Sequence, residues 1–245
     1  MILPHWQAKE AGEIDILVNN AGVVQGKDLL EADPRAIVRT FQVNVISHFW
    51  TVRSFLPGMI KRNHGQIITI ASAAGTVGVA KQCDYSASKW AAVGFDESLR
   101  MELARKGATG VSTSCIMPFF IDTGMFNGAS TRFPLLLPIM SAEWATNRIV
   151  QAVLGRESVV YMPITVILSP MLRAIVSVPV FDGLINLFGI NSSMDEFVGR
   201  PEDVARLSQG VEARGASSAA AGGGGGGAGG AGGRSAGAAG ASEQV

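Results

Sequence analysis

The chain has 245 residues, 47% of them hydrophobic, with 20 basic and 20 acidic side chains, so a sizeable apolar core is available at zero formal charge. A nucleic-acid binder would need a basic face, which this balance does not supply. Cys83 and Cys115 are too few for a disulfide framework, and neither they nor the scattered His5, His48 and His64 stand at metal-ligand spacing, so no metal site is expected.

Met1 to Gly12 has neither a basic start nor a useful apolar stretch, so no export signal or N-terminal anchor is read there. Ile14-Asp15-Ile16-Leu17-Val18 follows as a buried strand with nothing upstream to pair it. Asp33-Pro34 is a cap followed by a first-turn proline, and apolar residues recur at Ile37, Phe41, Val45, Phe49, Val52 and Leu56, which predicts one long amphipathic helix ending near His64-Gly65. Gln66 to Ala71 reads as a second buried strand, with a Ser, Ala and Gly-rich loop after it. About Asp84 to Arg105 reads as a helix and Val111 to Ile116 as a third strand closed by Pro118. Ser141 caps a helix running to about Leu154, and Val159 to Met162 is a candidate fourth strand.

This alternation predicts an α/β fold, an open, doubly wound parallel sheet with helices on both faces. Val159 to Ile190 is strongly apolar, but Arg173 and Asp182 interrupt it and Pro163, Pro170 and Pro179 break its helical continuity, so a spanning helix is not expected. It reads either as a greasy substrate-access lid leaning on a bilayer, the favoured reading, or as a buried C-terminal core segment. Thirteen of the 30 glycines fall between Gly215 and Gly240 in a nearly pure Gly and Ala run, which cannot offset the entropy of ordering. A disordered tail over 201–245 is therefore expected beside one domain over 1–200.

In open parallel sheets ligands sit at the carboxyl ends of the strands, which singles out Asn19 to Gly22, Ser72 to Gly78 and Pro118 to Met125. Tyr85 and Lys89 are four apart on a helix and share a face, where an ammonium beside a phenol favours the phenolate and makes Tyr85 a candidate proton acceptor. Such a pair alone is common on solvated helix surfaces. Ser72, directly after a strand and thirteen residues before Tyr85, can bring a hydroxyl beside the phenol. Asn44 is an unfavourable residue inside its helix, either a tolerated polar site or a functional one. Asn19-Asn20-Ala21-Gly22 suits either a turn or the close backbone approach of a ligand. Ser72 lacks a Gly-x-Ser-x-Gly elbow, which argues against a serine hydrolase.

Asn19-Asn20-Ala21-Gly22, Asn44, Ser72 and Tyr85-Ser86-Ala87-Ser88-Lys89, in that order and spacing, resemble the short-chain dehydrogenase/reductase superfamily from about residue 10 to residue 200. The resemblance implies a nicotinamide-dependent alcohol/carbonyl oxidoreductase with NAD or NADP as cofactor, NAD being favoured. Tyr85 would be the acid/base, Lys89 would lower its pKa and hold the nicotinamide ribose, Ser72 would bind the substrate oxygen, and Asn44 would hold a water in a proton relay. Asn19, Asn20, Ala21, Gly22 and Pro118 would line the cofactor, and Thr123 would touch its amide. The stretch Pro118 to Phe126, with Phe119 where many relatives have glycine, together with Leu187 to Ile190 and Met194 to Val198, is similar to the membrane-associated retinol dehydrogenase branch, near the epidermal retinol dehydrogenase type 2 group. That branch implies a lipophilic alcohol or aldehyde such as a retinoid, peripheral membrane contact through about 159–190, the cytosolic face of the endoplasmic reticulum or lipid droplets, and a homo-oligomer as one option.

By the same resemblance the chain begins just before the fourth strand of a seven-stranded sheet. A partial Rossmann-like fold is therefore expected, N-terminally truncated, without its first strands or glycine-rich phosphate loop and with an unpaired apolar edge on its first strand. The alternative expectation is a non-catalytic form that binds lipid, membrane or a full-length relative.

Overall fold

The computed structural model describes residues 12–200; the expectations for the N-terminal stretch and for the 201–245 tail lie outside the described residues. Four parallel strands stand in the order β1, β2, β3, β6: β1 (Ile16–Asn19), β2 (Gly65–Ile70), β3 (Val111–Pro118) and β6 (Val159–Met162). Two short strands, β4 (Ile121–Asp122) and β5 (Met140–Ser141), make a separate parallel pair beyond the end of β3. The central strands are the Val, Ile and Thr-rich runs, buried along nearly their whole length as strands covered on both faces must be. The register places Thr69 beside Cys115 and Ile70 beside Ile116, so β2 and β3 end together, and Asn19 of β1 is level with Thr69.

The helices are α1 (Pro34–Phe41), α2 (Ser47–Arg62), α3 (Cys83–Arg105), α4 (Ala142–Leu154), α5 (Leu168–Ile175) and α6 (Val178–Leu187). Two buried clusters lie on one face of the sheet: Val52, Met59, Ile67, Leu99, Leu103 and Val111 lower down, and Val45, Ala71, Ala92, Cys115 and Met117 nearer the strand ends. These join α2 and α3 to the sheet. On the other face α4 packs Ala145 and Ala152 against Ile68, Ile116, Val160 and Met162. The Ser141 cap is present, its side chain accepting from the Trp144 N–H, as is the Asp33 cap that accepts from the Arg35 N–H.

Two features depart from the sequence reading. The long helix expected from Pro34 is broken by a π-helical turn at Gln42–Ile46, which carries Asn44 and separates α1 from α2. The first strand is not buried: β1 is the sheet edge among the described residues, and Ile16 and Val18 are 50% and 51% exposed, because alternation turns only Leu17 and Asn19 toward α2. After β6 the chain is broken into α5 and α6, as its prolines lead one to expect, and it is largely exposed: Ile164 before α5, and Ile175 and Val178, face solvent, α5 buries no residue, Val166 and Phe181 are buried, and Arg173 lies 4.9 Å over the Trp90 ring of α3. Among the described residues no helix is long and apolar enough to cross a membrane.

Candidate active site

Asn19 ends β1, Ser72 stands two residues past β2, and Pro118 ends β3, so the parallel register brings all three to one edge of the sheet. Tyr85 and Lys89 come to the same edge from the first turns of α3. The start of that helix is held close by Gly75. A Cβ there would lie 2.9 Å from both the Lys89 carbonyl oxygen and Val93 Cγ2, so the turn after Ser72 reaches α3 only without a side chain.

Ser72 is in extended backbone, its Oγ accepting from the Ala74 N–H at 3.1 Å and donating to the Pro118 carbonyl at 3.4 Å. Its hydroxyl is near enough to Tyr85 to favour the ionised phenol. The Lys89 ammonium donates to the Ile70 carbonyl at 2.8 Å and lies 5.7 Å from the centroid of the Tyr85 ring. Phe126 meets the Tyr85 ring edge-on at 5.7 Å, and Phe120 and Phe197 extend that aromatic wall at 5.1 and 6.3 Å from Phe126. Phe197 in turn covers Gly26, whose φ of +65° and contact with the ring both exclude a side chain.

Asn44 is fully buried with its amide occupied by the protein. Oδ1 accepts from the Val23 N–H at 2.8 Å, while Nδ2 donates to the Val23 carbonyl at 3.0 Å and to Ser88 Oγ at 2.9 Å. Ser88 passes the connection on to the Tyr85 carbonyl at 2.7 Å. The asparagine thus ties the loop after β1 to the helix that carries Tyr85 and Lys89. Asn20 and Ala21 are exposed, Gly22 is half-buried, and Thr123 is exposed with its carbonyl accepting from Arg200 at 3.2 Å.

Sequence reasoning missed a second tie. Asp84, buried beside Tyr85, accepts from Gln25 Nε2 and from Thr40 Oγ1, both at 2.8 Å, and so joins α1, the β1 loop and α3. Its partners lie 59 and 44 residues away, and no local pattern announces them.

The electrostatics correct one expectation. Burial pushes the Tyr85 phenol up to about 12, and the Ser72 hydrogen bond pulls against it without prevailing. Burial also pushes Lys89 down to about 8, opposed by its neighbour Cys115. Spacing alone points to an ammonium that favours the phenolate; in the folded chain burial is the largest influence on the phenol and acts the other way.

A nicotinamide ribose fits this donor set. Lys89 has three ammonium hydrogens and a single protein acceptor, Ile70, and a Cβ at Gly22 would stand 3.7 Å from Asn44 Oδ1 and 3.8 Å from Lys89 Nζ. The absent side chain leaves contact room beside both. No Gly-x-Gly-x-x-Gly turn between a strand and a helix occurs among the described residues. Nor is there any cluster of His, Cys, Asp and Glu able to hold a metal among those residues.

This arrangement has relatives. Short-chain dehydrogenase/reductase family 16C member 6 of Bos taurus is 42% identical over 192 residues, 78% of this chain and 61% of that protein. Epidermal retinol dehydrogenase 2 of Homo sapiens is 41% identical over 192 residues, with 78% and 62% covered. Estradiol 17-beta-dehydrogenase 11 of Homo sapiens is 46% identical over 154 residues, with 63% and 50% covered. The chain therefore spans about half to three fifths of the length of these relatives. A short chain dehydrogenase from Burkholderia cenocepacia, solved in complex with NADP, superimposes with a TM-score of 0.61 at 27% identity, covering 75% of this chain and 72% of that one. The sequence pattern of the short chain dehydrogenase family matches residues 5–132, across β1, the Asn44 turn, Ser72, Tyr85 and Lys89. With strand order, site geometry and family pattern in agreement, this chain belongs to the short chain dehydrogenase family.

Proposed function

We propose that the protein is an NAD(P)-dependent oxidoreductase that interconverts a lipophilic alcohol of retinoid or steroid type and its carbonyl, with Tyr85 as acid/base. The observation that carries this reading is the meeting of Ser72, Tyr85 and Lys89 at the carboxyl ends of β2 and β3 under an aromatic wall. A bound nicotinamide would supply the hydride chemistry of this interconversion. Ser72 donates to the substrate oxygen and fixes it next to the phenol. Tyr85 takes the hydroxyl proton during oxidation and returns it during reduction. Lys89 would hold the ribose hydroxyls with its remaining donors. Asn44 keeps the β1 loop and α3 in register through Val23 and Ser88. Phe120, Phe126 and Phe197 exclude water and offer an apolar surface to the carbon skeleton.

Relatives named for retinol and estradiol support the substrate class, and the neighbour solved with NADP supports the cofactor class. We place the protein on a membrane or lipid-droplet surface, because α5, α6 and the fully exposed Leu135 display apolar side chains that a bilayer interface would cover. The test is turnover of all-trans-retinol and estradiol with NAD and with NADP, for the wild type and for Tyr85→Phe. Activity lost in that variant upholds the reading, and activity retained overturns it. A second reading, a non-catalytic binder of lipid or of a full-length relative, is favoured by the same exposed α5 and α6 faces. Vesicle flotation without dinucleotide, unchanged in Tyr85→Phe and unaccompanied by turnover, would select it.

A further inference from the structure

After α6 the chain returns to the site as a strap over 193–200. It is bonded to the loop between β4 and β5: the Ser193 carbonyl accepts from the Ser130 N–H at 2.9 Å, the Asn127 carbonyl accepts from the Val198 N–H at 2.8 Å, and Arg200 donates to the Thr123 carbonyl at 3.2 Å. Lys81, just before α3, ties the strap from another element, its ammonium 3.3 Å from Asp195 Oδ1. Gly128, at a φ of +84°, lies so close to the Glu196 carbonyl that no side chain fits there. These ties set the Phe197 ring against Phe126, centroids 6.3 Å apart, and against the backbone of Gly26, where even a methyl would overlap the ring. Tyr85, Phe126 and Phe197 therefore form a row that ends on main chain. Phe126 also meets Phe120 at 5.1 Å, so it cannot withdraw from Tyr85 without displacing another packed ring.

An alcohol turned over here must bring its oxygen to Tyr85 and Ser72, which are only 4% and 8% exposed. So small an opening passes a carbinol carbon with one carbon substituent more easily than a carbinol carbon with two. Walls that cannot retreat turn that difference into discrimination, because the bulkier group then meets a clash instead of a yielding side chain. We propose that Phe197 is a positioning residue for substrate selection: acting through Phe126, it keeps the space beside Tyr85 wide enough for a terminal CH2OH group and too narrow for a secondary alcohol. The inference rests on the proposed oxidoreductase reading and narrows its substrate to a primary lipophilic alcohol, of retinol's kind and not of estradiol's.

The experiment compares octan-1-ol with octan-2-ol, isomers that differ only in where the hydroxyl sits, on the full chain and on Phe197→Ala. Two ratios are read: kcat/KM with NAD and with NADP, and the dissociation constants of the two alcohols by titration calorimetry without dinucleotide. The wild type should favour octan-1-ol by at least about tenfold, and Phe197→Ala should bring the two isomers within about threefold of each other, the scale on which one carbon is sensed in a rigid pocket. A merely structural role would weaken both alcohols alike and leave the ratio unchanged. A wild type without preference for the primary isomer, or a ratio that Phe197→Ala does not move, overturns the proposal. If Phe197→Ala does not fold, Phe197→Leu decides: an intermediate ratio supports the proposal and the wild-type ratio overturns it. Binding ratios as expected with no turnover of either isomer would count against the proposed function and leave the selection by Phe197 standing. Failure of the wild type to bind either alcohol overturns the selection itself.

Discussion

Asp96 is a carboxyl group in the wrong place for an ordinary carboxylate. It is 2% exposed on the sheet side of α3, where Oδ2 accepts from Thr113 Oγ1 at 3.1 Å and Oδ1 has no partner. Burial pushes it up to about 6 from 3.8, against the opposing pull of the Thr69 and Thr113 hydroxyls and of Arg100. A folded-state pKa above the unfolded one means that the folded chain binds more protons between about pH 4 and 6. Stability due to this group therefore falls as pH rises through that window and stays lower above it. A shift of about two units corresponds to roughly 3 kcal/mol, an order-of-magnitude figure. Asp96→Asn keeps an acceptor for Thr113 and removes the ionisation. Urea unfolding at pH 5 and pH 8, read as the difference between variant and wild type so that other titrations cancel, should show the variant gaining about 1–3 kcal/mol on the wild type between the two. A difference that is flat with pH, or that moves toward the wild type at pH 8, would refute the reasoning.

Four further outcomes are expected. Tyr85→Phe should lower kcat by at least about a hundredfold with folding unchanged, checked by retinol turnover beside far-UV circular dichroism. With Tyr161 replaced by Phe, Tyr85 is the sole tyrosine, and its absorbance at high pH should titrate near 12 in the absence of cofactor; a midpoint near 10 would show that burial is not the governing influence. Gly75→Ala should cost about 1–3 kcal/mol, since its methyl meets the Lys89 carbonyl at 2.9 Å, and thermal unfolding measures it. Ser141→Ala removes the cap on α4 and should cost about 1 kcal/mol in the same assay.

The strands and caps were legible because their signals are local. Gln66 to Ala71 and Val111 to Pro118 are β-rich runs between turn residues, and Ser141 stands where an N-cap must. An unpaired edge on β1 was expected, but the exposure of Ile16 and Val18 on its face was not legible, because an apolar run reads alike whether one face or two are covered, and coverage depends on distant elements. Tyr85, Lys89 and Ser72 could be associated by spacing. Their electrostatics could not, since the rise at Tyr85 comes from what surrounds it rather than from its helix neighbours. The Asp84 and Asn44 ties join residues 21 to 59 positions apart, and only the folded chain brings them together.

The π-helical turn at Gln42–Ile46 sets the phase of everything after it. It accommodates one residue more than an α-helical turn would, so α2 is rotated by about 100° from the angle at which α1 would have continued. Deleting Val43 would restore an unbroken α-helix, yet it would swing Thr51 away from Asn19 and Val52 and Met59 away from the sheet. The extra residue works as a phase shifter: α1 is free to present Thr40 to Asp84 while α2 presents a differently oriented stripe to β1 and β2, and a single-residue deletion there should be worse tolerated than most substitutions along the same helix.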